Sequence, residues 1–544
     1  MKKSALICVT RNNAEKLQTT LNSIIRNTNP AHYDLIIIDN ASSDSTLGIY
    51  RLPVLADNIT IVRSGKDLHW VGGINFGLEM TKGYQYVGFF IDDTEVCPNW
   101  LENFFDVLDC NPDVAAVGPL ISNTRDWQGY DRLKEKYQLA PMEETNRADV
   151  AAMHREIQNN GAGIFFNDPL SFACVLLRRN AIEKVGALDN AFIETNCGEN
   201  EDYCFRLLDA GMSLALSMRT YVRANPSFFC FDSEPETEAQ LQALNLLDSK
   251  LRKVASQLDE SRLKSSQCRH GHFTFDKNDT YVGKSLDIYG EWAEAEVQLF
   301  SQLIRPTDTV VEVGANIGSH TLAIARLASE GRVHAFEPQP YVFSLLQKNV
   351  VDNGLKNTTL WNAAVGSEIG RASMPYLSAN IYSPINFGAI SIHTISGRRV
   401  GVPLLKIDGI QEIQQIDVLK IDVEGFEPQV LEGAKSVIQK CRPIVFIESR
   451  NREDHTFAIN SFFSSLGYTT WHYNTLIYNP ENFRSNSENI FGCEASFDLL
   501  CLPPEKVEVE GLVAGFEPAP LLPDDHWKQV KITFHKHSNC SGSL

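Results

Sequence analysis

The sequence lacks several features that mark particular classes of protein. It contains no run of about 18 apolar residues, the length that a membrane-spanning helix requires, and its 12 cysteines include no CxxC pair. Zinc-ligand spacing and the cysteine density of a secreted disulfide scaffold are therefore both missing. Basic residues are also few, since 49 lysines and arginines stand against 68 aspartates and glutamates, a formal net charge of −19. This balance argues against a protein that holds nucleic acid through phosphate contacts.

The same absences predict where the protein acts. The first apolar stretch, ALICV, is short and is followed at once by Thr10, Arg11 and Asn12, so we expect no signal peptide. Scattered cysteines without a disulfide pattern are typical of a reducing compartment. We therefore expect a cytoplasmic protein with no membrane span and no nucleic-acid partner.

The length of the chain predicts more than one domain. At 544 residues it exceeds what a single hydrophobic core usually supports. Short apolar runs alternate with amphipathic stretches from residue 5 to about residue 120, and a second such series opens near Tyr289. This alternation predicts two α/β domains, each with a mostly parallel sheet. The expected divisions are a first domain, a helical connector, a second domain and a tail, over residues 1–231, 232–270, 271–503 and 504–544.

A glycine-rich turn follows the first predicted strand of the second domain, in the segment VVEVGANIGSHT. Gly314 and Gly318 allow a tight strand-to-helix turn and a close approach of the backbone to a ligand. Glu337 ends the next predicted strand, where an acidic residue accepts hydrogen bonds from the two hydroxyls of a ribose. A dinucleotide-binding loop normally reads GxGxxG, whereas this loop reads GxNxG between the carboxylates of Glu312 and Glu337. The pattern favours S-adenosylmethionine, which has a ribose and an ammonium group but no phosphate.

Five sequence blocks in the second half resemble the FkbM family of methyltransferases. They are IYGEWAEAE, VEVGANIG, AFEP, VLKIDVEGFEPQVLEGA and RPIVFIE, and they cover roughly residues 285–475. The resemblance implies a class I methyltransferase fold, which has a Rossmann-like, seven-stranded sheet. It also implies methyl transfer from S-adenosylmethionine to a hydroxyl, often on a sugar or glycan.

The resemblance to the FkbM family also implies a role for individual residues. The cofactor-binding positions that it assigns are Glu312, Gly314, Asn316, Gly318, Glu337 and Asn362. The three residues of the glycine-rich turn would cradle the methionine part of the cofactor. Glu337 would hold the ribose, and Asn362 would lie beside the adenine. Glu312 stands where the family usually has Asp, a replacement that keeps the charge.

Methyl transfer to an alcohol needs the hydroxyl to be oriented and its proton to be removed. Asp422, at the end of the predicted strand DVLKID, suits this role, and Glu448 ends the next strand, VFIE. Glu424 could act with them, or it could be held by Lys420 or by a backbone amide. His393 lies in a polar loop and is interpreted as an ordinary loop residue. A divalent cation shared by Asp422 and Glu448 also stays open, although no histidine pair has ligand spacing.

The first domain contains two groups of acidic residues. Asp92 and Asp93 follow a buried strand in FFIDDTEV, and Glu199, Glu201 and Asp202 lie together in GENEDYCF. A sugar-nucleotide transferase must neutralise a diphosphate leaving group, usually with a divalent metal held by carboxylates. An inverting enzyme also needs a carboxylate base for the acceptor hydroxyl. The two groups could serve these needs, or they could be solvated turns.

The sequence around these groups resembles the family 2 glycosyltransferases with the GT-A fold, over about residues 4–230. The matching blocks are VTRNNAEKLQTTLNSI, IIDNASSDST, GGINFGL, DDTEVCPNWL and LLRRNAIEKVGALDNAF. The resemblance implies a nucleotide-sugar donor and a saccharide or glycan acceptor. Thr10 and Asp39 would contact the nucleoside, and Asn75 would lie near the donor.

The glycosyltransferase resemblance also implies where a metal and a base would lie. Asp93 would bind a divalent cation, Mn or Mg, with Asp92 beside it on the donor side. The base for the acceptor hydroxyl is expected at Asp202, with Glu201 or Glu199 as substitutes.

Three residues depart from the family pattern. Ile91 stands two residues before Asp93, where an acidic residue or Asn is common, and Asn200 stands where the first Asp of the base motif is expected. Arg223 stands where many relatives have a metal-binding histidine. An arginine could neutralise diphosphate charge directly, but it cannot bind a cation.

The sequence therefore supports two main functional hypotheses and a third, in which the second half methylates a lipid or a small metabolite instead of a glycan. The first is a bifunctional enzyme of glycan assembly that adds a sugar with inversion and methylates a sugar hydroxyl, where fusion raises the local concentration of a shared acceptor. The alternative is a methyltransferase whose first half is a catalytically inactive, saccharide-binding module. Peripheral association with a lipid-linked glycan and the oligomeric state both stay open.

Overall fold

A computed structural model of the protein describes most of the chain. The described residues are 4–49, 57–122, 157, 164–166, 169–195, 197–224, 237–377, 385–388, 399–450, 452–515 and 526–535. The chain divides into two compact units, Met1–Ser249 and Lys250–Leu544. Across the described residues, no helix is both long and apolar enough to cross a membrane.

The first unit is built on one mixed sheet. Its strands are β1 (Ser4–Thr10), β2 (Tyr33–Asp39), β3 (Ile59–Arg63), β4 (Tyr86–Ile91), β5 (Thr94–Val96), β6 (Val114–Ile121), β7 (Ile164–Phe166), β8 (Cys174–Arg178) and β9 (Ser213–Ala224). The order across the sheet is β3-β2-β1-β4-β8-β6-β9-β5, and β7 pairs with β9. β1 runs parallel to β2 and β4 and is fully buried, which explains its continuous apolar sequence.

The helices of the first unit follow its apolar periodicity. Their bounds are Ala14–Asn27, Thr46–Ile49, His69–Glu79, Trp100–Cys110, Arg179–Val185, Glu199–Asp209 and Glu238–Ala255, with 3-10 turns at Pro30–His32 and Asn190–Phe192. In the first helix, Leu17, Leu21 and Ile24 recur at helical spacing and are buried. The last helix extends across the division between the two units.

The second unit contains the other large sheet. Its strands are β10 (Leu263–Cys268), β11 (Gly271–Asp276), β12 (Thr309–Val313), β13 (Arg332–Phe336), β14 (Thr358–Trp361), β15 (Ala364–Val365), β16 (Gly370–Pro375), β17 (Arg399–Leu405), β18 (Val418–Ile421), β19 (Ile444–Glu448), β20 (Thr469–Leu476), β21 (Ala495–Leu502), β22 (Val507–Glu510), β23 (Val513–Ala514) and β24 (Lys531–Phe534). The main sheet has the order β14-β13-β12-β18-β19-β21-β20-β23. The first five of these strands are parallel and β21 is antiparallel. The short β23 extends a seven-stranded sheet at its edge.

The helices of the second unit connect these strands. Their bounds are Val282–Ile288, Glu294–Leu303, Thr321–Leu327, Pro340–Asp352, Glu427–Gly433, Lys435–Cys441 and Glu453–Ser465, with 3-10 turns at Ile407–Gly409 and His526–Gln529. Helix Thr321–Leu327 directly follows the glycine-rich turn, so the local order is strand, turn, helix. This is the order that the alternating sequence predicts.

Two segments differ from the sequence prediction. Leu263–Cys268, inside the predicted helical connector, forms β10 and pairs with β11 across a tight hairpin. The predicted tail also carries strands, because β22 pairs with β24 and β23 pairs with β20. β10 and β23 pair with strands outside the predicted connector and tail, whereas β22 and β24 pair with each other inside the tail across about 20 intervening residues. The domain boundaries themselves stay predictions.

Candidate functional site

A cavity of about 350 Å³ opens at the carboxyl ends of the parallel strands of the second unit. Gly314 follows β12, Glu337 follows β13, Asp422 follows β18 and Glu448 ends β19, and all four line the cavity. Ligands of open parallel sheets bind at this edge. Predicted site residues from four strands therefore converge on one cavity.

The turn after β12 requires unusual backbone conformations. Gly314 has a φ of 86°, and a Cβ added there would lie 1.7 Å from the backbone oxygen of Asp422. Only glycine can bring the chain so close to the neighbouring strand end. Asn316 has a φ of 50° and also lines the cavity. The turn thus presents backbone to the cavity at the position predicted for cofactor binding.

Glu337 is held in place by two backbone amides at the edge of the cavity. Its Oε2 accepts from Asn316 N at 3.0 Å and its Oε1 accepts from Gln339 N at 2.8 Å. The residue is 8% exposed, and burial raises its pKa to about 7. Each carboxylate oxygen has two lone pairs, so both can accept a further hydrogen bond from a ligand hydroxyl.

Two residues predicted to contact the cofactor lie behind the cavity wall. Gly318 does not line the cavity, and a Cβ there would lie 2.9 Å from Leu346, so its small size serves helix packing. Glu312 is buried in β12 and accepts a hydrogen bond from Thr321 Oγ1 at 2.6 Å. Glu312 contacts the helix that follows the turn, and Gly318 packs against helix Pro340–Asp352, so their direct contacts with the cofactor stay predictions.

Asn362 contacts backbone, and its predicted place beside the adenine stays a prediction. Its amide donates to the backbone oxygens of Glu337 at 2.9 Å and Pro338 at 3.1 Å. Asn362 does not line the cavity, whereas the next residue, Ala363, does. Asn362 therefore stabilises the turn that carries Glu337.

A buried lysine stands beside the predicted methyl-transfer base. Lys420 Nζ lies 3.2 Å from Asp422 Oδ2 and 3.9 Å from Glu312 Oε1, and its side chain is 2% exposed. The surrounding carboxylates keep its pKa above the ordinary value despite burial, which alone would lower it. A charged ammonium thus fixes one face of Asp422 and leaves the rest of that carboxylate facing the cavity.

Glu424 is paired, but with a partner that the sequence did not predict. Its Oε2 lies 3.3 Å from Nη2 of Arg450, not beside Lys420. Glu424 and Arg450 both have a φ of 55°, so the two strand ends turn in left-handed conformations that non-glycine residues rarely adopt. Glu424 does not pair with Lys420 because the Lys420 ammonium already pairs with the carboxylates of Asp422 and Glu312.

Three carboxyl groups crowd together at this end of the cavity. One oxygen from each of Asp422, Glu424 and Glu448 lies within 4.8 Å of the others, a spacing that a divalent cation could bridge. Burial and the charge of Asp422 raise the pKa of Glu424 to about 7. Burial, followed by the charges of Asp422 and Glu424, raises that of Glu448 to about 11. A cation shared by Asp422 and Glu448 stays a prediction.

Several further polar residues that the sequence did not single out line the cavity, among them Glu296, His320 and Asp498. Glu296 and Asp498 are buried carboxyls, and burial raises the pKa of Glu296 to about 7. His320 is buried with Nε2 at 3.5 Å from Glu296 Oε2, and burial lowers its pKa well below the ordinary value. Glu296 lies within the block IYGEWAEAE, which was the available signal for it. His393 lies outside the described residues.

In the first unit, the predicted nucleoside contacts lie at adjacent strand ends. Thr10 ends β1 and pairs with Asp39 of β2, while its Oγ1 donates to Asp92 Oδ2 at 2.7 Å. Asp39 is wholly buried, accepts from Ser42 N at 2.9 Å, and lies 3.5 Å from Arg63 Nε. Asp39 therefore shapes the turn after β2, and direct contact of its side chain with a nucleoside stays a prediction.

The predicted metal ligand is paired with a lysine. Lys16 Nζ lies 2.8 Å from Asp93 Oδ2, and both side chains are partly exposed. Arg223, at the position of the histidine of many relatives, forms an ion pair with Glu95 at 2.5 Å and 3.1 Å. These pairs place positive charge around the β4 strand end.

Asn75 forms a link within the first unit. Its Oδ1 accepts from Leu188 N at 3.0 Å, and its Nδ2 donates to Leu188 O at 2.9 Å and to Asn190 Oδ1 at 3.0 Å. The side chain therefore fixes the loop before the helix that carries the acidic group. Its predicted place near the donor stays a prediction.

The three candidate bases begin helix Glu199–Asp209 and are all buried. Asp202 Oδ2 accepts from Arg206 Nε at 2.9 Å, one helical turn later. Burial raises the pKa of Glu199 to about 7, and its Oε2 forms no hydrogen bond among the residues that the structure covers. Glu201 lies in the same first turn, beside Asn200. The candidates therefore share one location and differ mainly in the groups that their carboxylates contact.

Both halves of the chain match known families. Residues 312–470 match the sequence profile of the methyltransferase FkbM domain, and residues 5–186 match that of glycosyl transferase family 2. Hexuronic acid methyltransferase AglP of Haloferax volcanii is 28% identical over 167 residues, which are 30% of this chain and 64% of that protein. 2-O-methyltransferase NoeI of Sinorhizobium fredii is 26% identical over 179 residues, covering 29% and 69%. The 31-O-demethyl-FK506 methyltransferase FkbM of Streptomyces tacrolimicus is 30% identical over 161 residues, covering 24% and 61%.

The chain also resembles solved structures of glycosyltransferases, at low TM-scores. GalNAc-T7 with UDP, GalNAc and Mn2+ is 14% identical with a TM-score of 0.35, over 47% of this chain and 50% of that one. Mannosyltransferase PcManGT from Pyrobaculum calidifontis, in complex with GDP-Man and Mn2+, is 16% identical with a TM-score of 0.28, over 47% and 61%. At such TM-scores these likenesses add nothing to the family match.

Proposed function

We propose that this chain, an enzyme that carries a family 2 glycosyltransferase domain and an FkbM methyltransferase domain, acts twice in glycan assembly. The first half would transfer a sugar from a nucleotide-sugar donor to a saccharide acceptor with inversion. The second half would methylate a sugar hydroxyl with S-adenosylmethionine. The observation that carries the proposal is the cavity at the strand ends, where the glycine turn, Glu337 and Asp422 meet. The names of AglP and NoeI support a sugar acceptor and O-methylation.

The residues of the second unit fit this cofactor without a metal or phosphate site. Gly314 and Asn316 would lie against its methionine part, and Glu337 would accept hydrogen bonds from its ribose hydroxyls. S-Adenosylmethionine supplies the methyl group. The chain itself must orient the acceptor oxygen and take its proton. We assign this base to Asp422. Lys420 pairs with one oxygen of its carboxylate, and the residue lines the cavity.

Replacing Glu337 with glutamine is expected to weaken binding of S-adenosylhomocysteine by about tenfold to a hundredfold, because a charge-assisted hydrogen bond contributes about 1.5–3 kcal/mol. Titration calorimetry with the full chain would measure this. Glu330→Gln, an exposed residue just before β13, is the matched control and should leave the affinity unchanged. If the two variants bind S-adenosylhomocysteine with equal affinity, Glu337 does not contact the ribose as proposed.

In the first half, we propose that the base lies in the first turn of helix Glu199–Asp209. Asp202 is tied to Arg206 at 2.9 Å, an ion pair that its carboxylate would have to leave in order to reach an acceptor hydroxyl. Glu199, with its pKa raised to about 7 by burial, is therefore the better candidate, ahead of Glu201. This order reverses the sequence expectation that favours Asp202.

The first half can also accommodate the implied divalent cation. Asp93 is 34% exposed, and Lys16, its ion-pair partner among the described residues, is 53% exposed. An exposed ion pair contributes about 0–1 kcal/mol, so a cation held with a diphosphate could displace it. Asp93 would then hold the cation, and Arg223 would add positive charge nearby.

A specific observation also favours the alternative of an inactive saccharide-binding module. Asn200 stands in place of a carboxylate of the base motif. Lys16 forms an ion pair with Asp93, and Arg223 forms one with Glu95. A module would need neither a metal nor a base. Binding of nucleoside diphosphate distinguishes the two functions.

Asp93→Asn is expected to weaken manganese-dependent binding of UDP or GDP by about tenfold or more, since a metal ligand is lost. The measurement is titration of each nucleotide with and without manganese, together with hydrolysis of the matching nucleotide-sugar. Asp106→Asn, at an exposed helix position, serves as the control. Absence of both manganese-dependent binding and hydrolysis in the unmodified protein would support the module instead.

A further inference from the structure

Two partly exposed aromatic side chains, Tyr281 and Trp292, line the methyltransferase cavity. We call them the aromatic platform. Phe491 contacts both of them and does not itself line the cavity. Its ring stacks on Tyr281 at a centroid distance of 5.8 Å and meets Trp292 edge-on at 6.2 Å. The platform therefore consists of two rings that a third ring supports, and part of their surface is open to the cavity.

The supporting ring is itself held by a buried tyrosine. Phe491 packs against Tyr289, which is 2% exposed, at a centroid distance of 5.9 Å. The Tyr289 hydroxyl donates to Glu488 O at 2.7 Å and accepts from Ile490 N at 2.8 Å, so it fixes the segment just before Phe491. The platform is thus positioned before a ligand binds, which lowers the entropy that binding costs.

The backbone on both sides of Trp292 is also fixed. Glu291 is 4% exposed and accepts from Asn479 Nδ2 and from Phe483 N, both at 2.8 Å. Ala293 lines the cavity and has a φ of 44°, a left-handed conformation that residues with a side chain rarely adopt. Such conformations concentrate at binding and active sites, so the backbone favours a binding role for Trp292.

The supporting ring ties the platform to the acceptor side of the sheet. Phe491 shortly precedes β21, which pairs with β19, and β19 lies next to β18, the strand that Asp422 follows. The predicted cofactor residues Gly314 and Glu337 follow β12 and β13, which lie on the other side of β18. The platform is therefore placed to meet the methyl acceptor rather than the ribose.

An aromatic ring at this place matches one feature of sugars in particular. A pyranose has a face that carries only C–H bonds, and its hydroxyls lie around the rim. The electron-rich face of an aromatic ring attracts these C–H groups and removes their apolar surface from water. Glu296, in the first turn of the helix after Trp292, also lines the cavity, and a carboxyl group can accept from a rim hydroxyl in either protonation state. A linear polyol has the same hydroxyls but no rigid C–H face.

We propose that Tyr281 and Trp292 form the acceptor subsite of the methyltransferase, which binds a pyranose by stacking the C–H face of its ring on Trp292. This inference rests on the proposed methylation of a sugar hydroxyl in the second unit. Asp422 would then face the hydroxyl that receives the methyl group. Stacking depends on the shape of the ring and not on its charge, so the subsite takes neutral sugars and uronates alike.

The first test compares rings with open chains. Methyl β-glucopyranoside, its uronate, methyl β-galactopyranoside and methyl α-mannopyranoside are offered to the full chain with S-adenosylmethionine that carries a labelled methyl group. Glucitol, galactitol and mannitol are the matched polyols. We expect kcat/KM for the best glycoside to exceed that of its polyol by about tenfold or more. A polyol that is used as well as its glycoside would overturn the proposal.

Two variants isolate the aromatic face. Trp292→Leu keeps apolar volume and removes the ring, and it should raise KM for the best glycoside by about fivefold to twentyfold. The value of kcat and the affinity for S-adenosylhomocysteine should stay unchanged, and that affinity also shows that the variant is folded. Trp292→Phe keeps an aromatic face and should restore part of the loss. Phe457→Ala, at a helix position that is 66% exposed, is the control and should leave KM unchanged.

Saturation-transfer NMR detects the stacking directly and does not require turnover. With S-adenosylhomocysteine bound, irradiation of the aromatic protons should saturate the C–H protons of one face of the glycoside most strongly. The transfer should weaken in Trp292→Leu and persist in Phe457→Ala. Equal transfer to both faces, or the same pattern in Trp292→Leu, would overturn the proposal.

The outcomes separate the subsite from the proposed function. If glycosides are methylated and Trp292→Leu leaves KM unchanged, the subsite is wrong while sugar methylation stands. If Trp292→Leu weakens S-adenosylhomocysteine as much as the glycoside, Trp292 belongs to the cofactor site and the subsite is also wrong. If no glycoside is bound or methylated although S-adenosylhomocysteine binds, the proposed function of the second unit fails, and the subsite fails with it.

Discussion

Replacing Asp422 with asparagine is expected to lower kcat for methyl transfer by about 10²–10⁴-fold, the contribution of a positioned general base. Asparagine keeps the size of the side chain and can still accept a hydrogen bond from Lys420, but it cannot take a proton. Binding of S-adenosylhomocysteine should change little, because the predicted cofactor contacts come from β12 and β13. The measurement is single-turnover methyl transfer beside calorimetric titration of the cofactor product.

The control for this variant is Asp352→Asn, at a partly exposed helix position where Asp352 pairs with Lys348 at 3.0 Å. It removes the same charge far along the sequence from the strand ends and should leave kcat unchanged. A kcat for Asp422→Asn within threefold of the unmodified protein would exclude Asp422 as the base. Glu448 would then be the next carboxyl to replace, since it lines the same end of the cavity.

Replacing Gly314 with alanine is expected to abolish measurable binding of S-adenosylhomocysteine and to lower the apparent Tm. The added Cβ would lie 1.7 Å from the backbone oxygen of Asp422, and the φ of 86° is unfavourable for any residue with a side chain. Backbone must therefore move at two strand ends at once. We expect a loss of about 2–4 kcal/mol in the free energy of unfolding, in the upper range for single substitutions.

Gly370→Ala provides the matched control for this second prediction. Gly370 begins β16, has no heavy atom within 4 Å of an added Cβ and does not have a positive φ. Thermal unfolding and cofactor titration are measured for both variants. The comparison separates the effect of the clash at Gly314 from the general effect of replacing a glycine with alanine. Normal binding by Gly314→Ala would show that the turn is not part of the cofactor site.

The sequence was sufficient for the features that depend on local order. Alternating apolar and amphipathic segments predicted two α/β folds, and the resemblance to both families is confirmed by the profile matches. Gly314 and Glu337 line the cavity because each directly follows a predicted strand, and parallel strands end at the same edge. Residues that terminate strands are thus placed by the fold class alone.

The partners of those residues were not predictable in the same way. Lys420 beside Asp422, and Arg450 beside Glu424, depend on how separate strand ends turn toward or away from the interior. Asn362 and Gly318 occupy motif positions, yet their contacts are with backbone and with a packed helix. Motif position gives the neighbourhood of a residue, whereas the direction of its side chain depends on long-range packing. The i,i+4 pair of Asp202 and Arg206 has a spacing that helical geometry favours, but it too was identified only from the structure.

The strands beyond residue 503 bear on how the chain could be divided into separately expressed domains. Val507 and Val530 are 2% and 3% exposed, and they belong to the same apolar cluster as Phe300 and Leu303. A fragment that ends at residue 503 would lack Val507 and Val530. The apolar cluster would then be exposed to solvent, and such a surface promotes aggregation. Anyone seeking an independently expressed methylating half should retain the chain at least through Phe534.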